Sequence, residues 1–227
     1  MTKQSFFSIR ISDDIRALVR RPEPVTALNL MGLSLLSSAH LSPKDFVYWV
    51  DGITGSFACY LGGLKISRKP GRDLLYDLLR HIRTYMPNKP VAVVGSDFVT
   101  ERINELLGRD VVQFDFPWIT SIEAAQDFRF DNLTSDYIVL LAVGSPKQEW
   151  IATAIYNTTG AKCFCLGGAI NMVEGREVAA PFWVQRAGIE WIFRLISDPK
   201  IRAHRLLITL PNGLLNLKYY NSFTQLL

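Results

Sequence analysis

The sequence predicts an α/β fold, a largely parallel sheet with flanking helices and a basic, apolar C-terminal appendage. Three observations carry this. Short β-rich runs alternate with helical patterns, the sign of strands linked by crossover helices. The run Tyr137–Val143 is apolar throughout, as a strand buried on both faces requires. Several strand-like runs end in Gly or Asp just before a helix. The chain has 227 residues, 48% hydrophobic and 20% charged. That is enough for one packed domain, placed at residues 1–195, with residues 196–227 as the appendage.

The elements follow in order. Phe6 to Ile11 reads as a strand, and Ser12, Asp13 and Asp14 open a short helix. Val25 to Leu30 is an apolar run leading into a helix over Met31–Ala39. Ser42-Pro43 makes a turn before the strand Phe46–Val50. Leu74, Leu75, Leu78, Leu79 and Ile82 share one face at helical spacing. Val91–Val94, Gly95-Ser96 and a helix through Ile103 to Leu107 form a strand–turn–helix unit, followed by a strand at Val111–Phe114. Tyr137–Val143 runs into Gly144-Ser145-Pro146 and a helix. Lys162–Leu166 repeats the scheme and ends in Gly167-Gly168; Trp183 to Ile196 is the last strong helix. The arrangement is Rossmann-like.

Composition excludes several classes. No stretch approaches the roughly 18 apolar residues of a membrane span, and Met1–Arg10 has no signal-peptide core. Cys59, Cys163 and Cys165 form no metal-ligand array. The last two alternate around Phe164, as on one face of a buried strand in a reduced, cytoplasmic protein. The net charge is +4, and the segment from Pro199 onward carries Lys200, Arg202, Arg205 and Lys218 with no acid. Such a leucine-rich basic segment suits an anionic membrane surface or a partner. It equally suits a terminal helix packed on the domain. No aromatic-basic motif supports a nucleic-acid partner.

Ligands of open α/β sheets bind beyond the carboxyl ends of the strands. The candidates there are Asn29, Asp51-Gly52, Gly95-Ser96, Gly144-Ser145 and Gly167-Gly168. Neither GxGxxG nor GxxxxGK[ST] occurs, so no nicotinamide cofactor is expected. In Gly144-Ser-Pro-Lys-Gln-Glu-Trp150, Ser145 and Gln148 read as a capping box around Pro146. Alternatively, Lys147 and Gln148 hold a nucleotide. Asp51 either caps a turn or acts as a general base. Arg68-Lys-Pro-Gly-Arg72 is a solvated loop or a diphosphate clamp. His40, His81 and His204 form no triad and read as surface or helix-face residues. No D-x-D motif is present, so no metal is expected.

Gly144-Ser-Pro-Lys-Gln-Glu-Trp-Ile151 resembles the G-x-P-K-Q-E-x-W-I core of the WecG/TagA/CpsF glycosyltransferase family. Ala27-Leu-Asn29 falls at its T-x-N, Val50-Asp-Gly52 at A-D-G, and Arg68-Lys-Pro-Gly71 at R-x-x-G. Val91–Gly95 and Gly167-Gly168 match the strand ends that follow. Gly188-Ile-Glu-Trp-Ile-Phe-Arg194 resembles G-L-E-W-L-Y-R, and Asp198-Pro199 with Arg202 and Arg205 matches the tail. The resemblance runs from about Asp14 to Arg205. Two positions depart from it: Ala27 replaces a threonine, and Ala179 replaces an arginine.

The resemblance implies an inverting, metal-independent transferase without cofactor. It moves a hexosyl group from a UDP-sugar donor to a polyprenyl-diphosphate-linked acceptor at the inner face of the cell membrane, for surface or exopolysaccharide. It makes Asp51 the base and places Asn29, Arg68, Lys147, Gln148, Arg202 and Arg205 on the substrates; homo-oligomer formation stays open. The rival readings are a non-catalytic scaffold of a polysaccharide assembly complex and a nucleotide-sugar oxidoreductase.

Overall fold

The structure is a computed structural model. It describes residues 8–38, 40–95, 100–116, 119–127, 130, 132–178, 180–181, 183–184, 190–197 and 199–226, with 191, 194, 197, 200–202, 204 and 205 as backbone only. The chain runs β1 (Ile9–Ile11), α1 (Ile15–Arg20), β2 (Val25–Leu28), α2 (Leu30–Leu35), a 3-10 turn (Pro43–Asp45), β3 (Val47–Val50), α3 (Gly52–Leu61), α4 (Gly71–Tyr85) and β4 (Val91–Gly95). It continues with α5 (Glu101–Leu107), β5 (Val112–Asp115), α6 (Ile122–Asp127), β6 (Ile138–Leu141), α7 (Lys147–Thr159), β7 (Lys162–Cys165) and α8 (Gly168–Val173). The last elements are α9 (Glu190–Ser197), α10 (Pro199–Asn216), a 3-10 segment (Leu217–Ser222) and β8 (Phe223–Gln225). Of the helix expected over Trp183–Ile196, residues 185–189 lie outside the described residues, as do Phe6, Ser96, Ala179, Gly188 and Asp198.

Among the described residues eight strands form one sheet in the order β5-β4-β6-β7-β2-β3-β1-β8. Every pair is parallel. This is the α/β architecture the alternating pattern predicts. β2, β3, β6 and β7 are buried at every position, because helices cover both sides and successive side chains point to opposite faces. One core holds Leu28, Val50, Leu141, Cys163 and Cys165 beneath α2, α3, α6 and α7. The other holds Val47, Trp49, Leu140 and Phe164 beneath α1, α4, α5 and α8. The two cysteines thus share one face of β7, and burial pushes the Cys163 thiol up to about 12, away from reactivity.

α4 meets its helical spacing: Leu74, Leu75, Leu78, Leu79 and Ile82 are all buried. Helix α3 is the unanticipated element. Gly52 and Gly55 lower its intrinsic helix propensity, but Gly55 allows a contact no other residue permits. A Cβ there would lie 1.8 Å from the Leu28 carbonyl oxygen, so α3 rests directly on the end of β2. The C-terminal segment also returns to the sheet. β8 pairs with β1, Ile9 opposite Phe223, while α10 packs along α2 and the buried Asn216 amide donates to the Leu33 carbonyl at 2.8 Å.

Candidate functional site at the carboxyl ends of four strands

β6, β7, β2 and β3 are neighbours, so their carboxyl ends line one edge of the sheet. The helices that follow diverge. α7, α2 and α3 turn to one face, while α8 after β7 turns to the other. Adjacent connections leaving to opposite faces open a crevice at the strand ends.

Asn29 and Asp51 meet there because of strand register. Ala27 pairs with Trp49 and Leu28 with Val50, so the next residue of each strand projects side by side. The Asn29 amide donates through Nδ2 to Asp51 Oδ2 at 3.2 Å. Its Oδ1 accepts from the Gly32 N–H at 3.0 Å, capping α2. The cap fixes which end of the amide faces Asp51: the donor end, matched to a carboxylate. Asp51 is half-buried and its side chain makes no cap bond to α3. Gly52 takes the turn with φ +75°, a conformation that favours glycine.

The Arg68 loop comes back to the same point. The Lys69 N–H donates to the Val50 carbonyl at 2.9 Å, setting half-buried Arg68 two peptide units from the Asp51 backbone. Lys69 itself is paired with Asp77 at 2.7 Å. Next to this loop, the start of α4 abuts the start of α8: a Cβ on Gly71 would lie 3.3 Å from that of Ala169.

The Gly144 loop corrects the expected capping box. α7 begins at Lys147 with no side-chain cap bond. Ser145 is turned inward, and its hydroxyl donates to Glu149 Oε1 at 2.8 Å. The same oxygen accepts from the Thr26 hydroxyl at 2.8 Å and from Gln148 Nε2 at 3.0 Å. Gln148 Nε2 also donates to Ser145 Oγ at 2.6 Å. The physical reason is burial: Glu149 is 3% exposed, so its carboxyl gathers nearby donors and takes Ser145 from the helix end. Burial pushes the Glu149 carboxyl above the usual carboxylate range, with the three donors pulling the other way. A small void lined by Thr26, Tyr48 and Glu149 lies beside it.

Thr26 and Glu149 were not among the expected site residues. The signal for Glu149 was an acid one turn before Ala152 in a helix whose other buried residues include Ile151 and Ile155. Gln148 is 6% exposed and its Oε1 is buried without a hydrogen-bond partner, close to Gly167. Lys147 is half-buried at the start of α7. Arg202 and Arg205 belong to α10, but their side chains lie outside the described ones. His40 is exposed and His81 packs on Tyr85 with ring centroids 5.0 Å apart, as surface and helix-face residues should. Among the described residues no three His, Cys, Asp or Glu side chains converge on one point.

The arrangement offers a hydrogen-bonded carboxylate at a strand-end crevice, an arginine loop beside it and helix N-termini around it. Such a set suits proton removal next to a bound phosphate. The glycosyl transferase WecG/TagA/CpsF family model matches residues 38–224, from just after α2 to β8 and across Asp51, the Arg68 loop and the Gly144 loop. The chain therefore belongs to the WecG/TagA/CpsF glycosyltransferase family, whose members transfer sugars in bacterial cell-surface polysaccharide synthesis.

Proposed function

We propose that the chain is an inverting, metal-independent hexosyltransferase that uses a UDP-sugar donor and a polyprenyl-diphosphate-linked saccharide acceptor. The observation that carries this is the Asn29–Asp51 contact at the ends of β2 and β3, with the Arg68 loop bonded to the adjoining Val50. The acceptor hydroxyl oxygen attacks the donor's anomeric carbon, and its proton passes to an Asp51 carboxylate oxygen. A new C–O bond forms on one face while the bond to the UDP oxygen breaks on the other, and UDP leaves with the electron pair. Asn29 orients the carboxylate. Arg68 and then Lys147 stabilise the leaving diphosphate together with helix N-termini. Gln148, whose amide N–H groups are engaged with Ser145 and Glu149, offers its carbonyl oxygen to a donor group of the UDP-sugar.

The protein works at the inner face of the cell membrane. α10 leaves Leu207, Ile208, Leu214 and Leu215 exposed in a segment with four cations and no acid. On anionic lipid each cation contributes about 1 kcal/mol, giving reversible docking, and Arg202 and Arg205 reach the lipid diphosphate. Among the described residues no helix is long and apolar enough to cross a membrane.

The test is calorimetric titration with UDP alongside a transfer assay, on wild type and Asp51→Asn. Transfer is expected to fall about 10²–10⁴-fold while UDP binding and the melting temperature hold. A variant that transfers normally, or that loses UDP binding, removes Asp51 as the base.

A further inference from the structure

Helix α3 is apolar on both sides. Its inner side buries Gly55, Ala58 and Cys59. Its outer side carries Ile53, Phe57, Tyr60 and Leu61, which are 52, 50, 76 and 39% exposed. At 3.6 residues per turn these four fall within one stripe about 100° wide. α4, the next helix, instead buries all its aliphatic residues and shows water its charges. Four large apolar side chains on ten residues form a contiguous patch, not scattered exposure.

Two further facts identify the occupant. From Gly52 to Arg72 the chain carries Lys65, Arg68, Lys69 and Arg72 and no acid; Lys69 is paired with Asp77 and Arg72 with Asp73, while Lys65 is exposed. The C-terminal end of α3 also meets the 3-10 segment after α10: a Cβ on Gly62 would lie 2.7 Å from the Tyr220 carbonyl oxygen. That segment holds exposed Lys218, and the segment from Pro199 onward is likewise without acids. α3 and α10 thus both pack on this 3-10 segment, which brings their exposed apolar side chains into one neighbourhood with Lys65 and Lys218. Two copies of the chain meeting through it would set cation against cation, whereas an anionic bilayer neutralises them.

We propose that α3 is a lipid-docking helix, lying in the headgroup region of an anionic bilayer with Ile53, Phe57 and Tyr60 inserted. Because α3 starts immediately after Asp51, docking holds that carboxylate at the bilayer surface, where the diphosphate of a lipid-linked acceptor lies. The consequence for Asp51 rests on the function proposed above; the docking does not.

The experiment is co-sedimentation of the full chain with vesicles of phosphatidylcholine alone or mixed with phosphatidylglycerol. It compares wild type with Phe57→Ser and with Phe57→Ser/Tyr60→Ser, and uses Leu214→Ser/Leu215→Ser to weigh the contribution of α10. Circular dichroism melts and UDP titration run on every variant. Wild type is expected to bind the anionic vesicles selectively. Each α3 substitution should weaken that binding about tenfold, the worth of one buried aromatic side chain, with melting and UDP binding unchanged. Wild-type failure to bind anionic vesicles overturns the proposal, as does unchanged binding by the double variant. Conversion of a wild-type dimer to monomer by Phe57→Ser, with no change on vesicles, assigns the patch to a second copy and also overturns it. If UDP binding is absent in wild type while vesicle binding depends on α3, the catalytic reading falls and the docking stands.

Discussion

Asp51 and Glu149 are two carboxyl groups attached to the same strand in opposite ways. Glu149 is tied to β2 by the Thr26 hydroxyl, and three residues further on Asn29 holds Asp51. Asp51 is half-buried at the crevice. Glu149 is closed in, with one oxygen accepting from three side chains and the other buried without a partner. Placement divides the labour. The group at the edge can exchange a proton with a substrate, and the buried one ties β2, the Gly144 loop and α7 together.

Substitutions should separate the two roles by size and kind of effect. Glu149→Ala strands the Thr26, Ser145 and Gln148 donors and should cost about 2–4 kcal/mol in urea unfolding. If Asp51→Asn destabilises as much as Glu149→Ala, the contrast is lost. A smaller effect concerns pH. Burial raises the Glu149 carboxyl above 4.5, so its contribution is fully present below that value and fades as pH rises through the higher folded-state value. Melting curves of wild type and Glu149→Gln should therefore show the wild type's relative stability falling as pH rises above about 4.5. A difference that grows with pH would mean that the three donors hold an ionised carboxylate. The subtlest change is Asn29→Asp, which keeps the α2 cap within a few tenths of a kcal/mol. It puts a second carboxylate beside Asp51, and one of the pair then holds a proton more tightly. The pH profile of transfer should move upward with the fold unchanged; an unmoved profile would show that Asn29 only caps.

What the sequence disclosed follows from how local each signal is. β6 was legible because a strand covered on both faces is apolar throughout, β7 because an apolar run follows Lys162 and ends in two glycines, and α4 because five aliphatic residues keep helical spacing. α3 was not legible. Its glycines weaken the helical signal, and the need for Gly55 comes from a carbonyl on β2, far away in sequence. β8 was missed because Phe-Thr-Gln carries no pattern of its own and exists through pairing with β1. In the site, the strand-end rule located Asn29 and Asp51, but their contact depends on the β2–β3 register. The Gly144 heptad drew attention to Lys147 and Gln148, while its innermost residue was Glu149. A buried carboxyl is recognised by its partners, and Thr26 is 123 residues away.

The return of the chain to its own first strand has a further consequence. Ser8 and Thr224, hydrogen-bonded at 2.8 Å, are 216 positions apart, so the β1 flank of the sheet closes through one of the longest loops the chain can make. Before that closure β1 displays an open row of backbone donors and acceptors, which any extended segment from another molecule can extend. β8 covers that row, and the new border is only three residues long, with Thr224 and Gln225 on it. The C-terminal residues thus shield a sheet margin against strand-by-strand self-association.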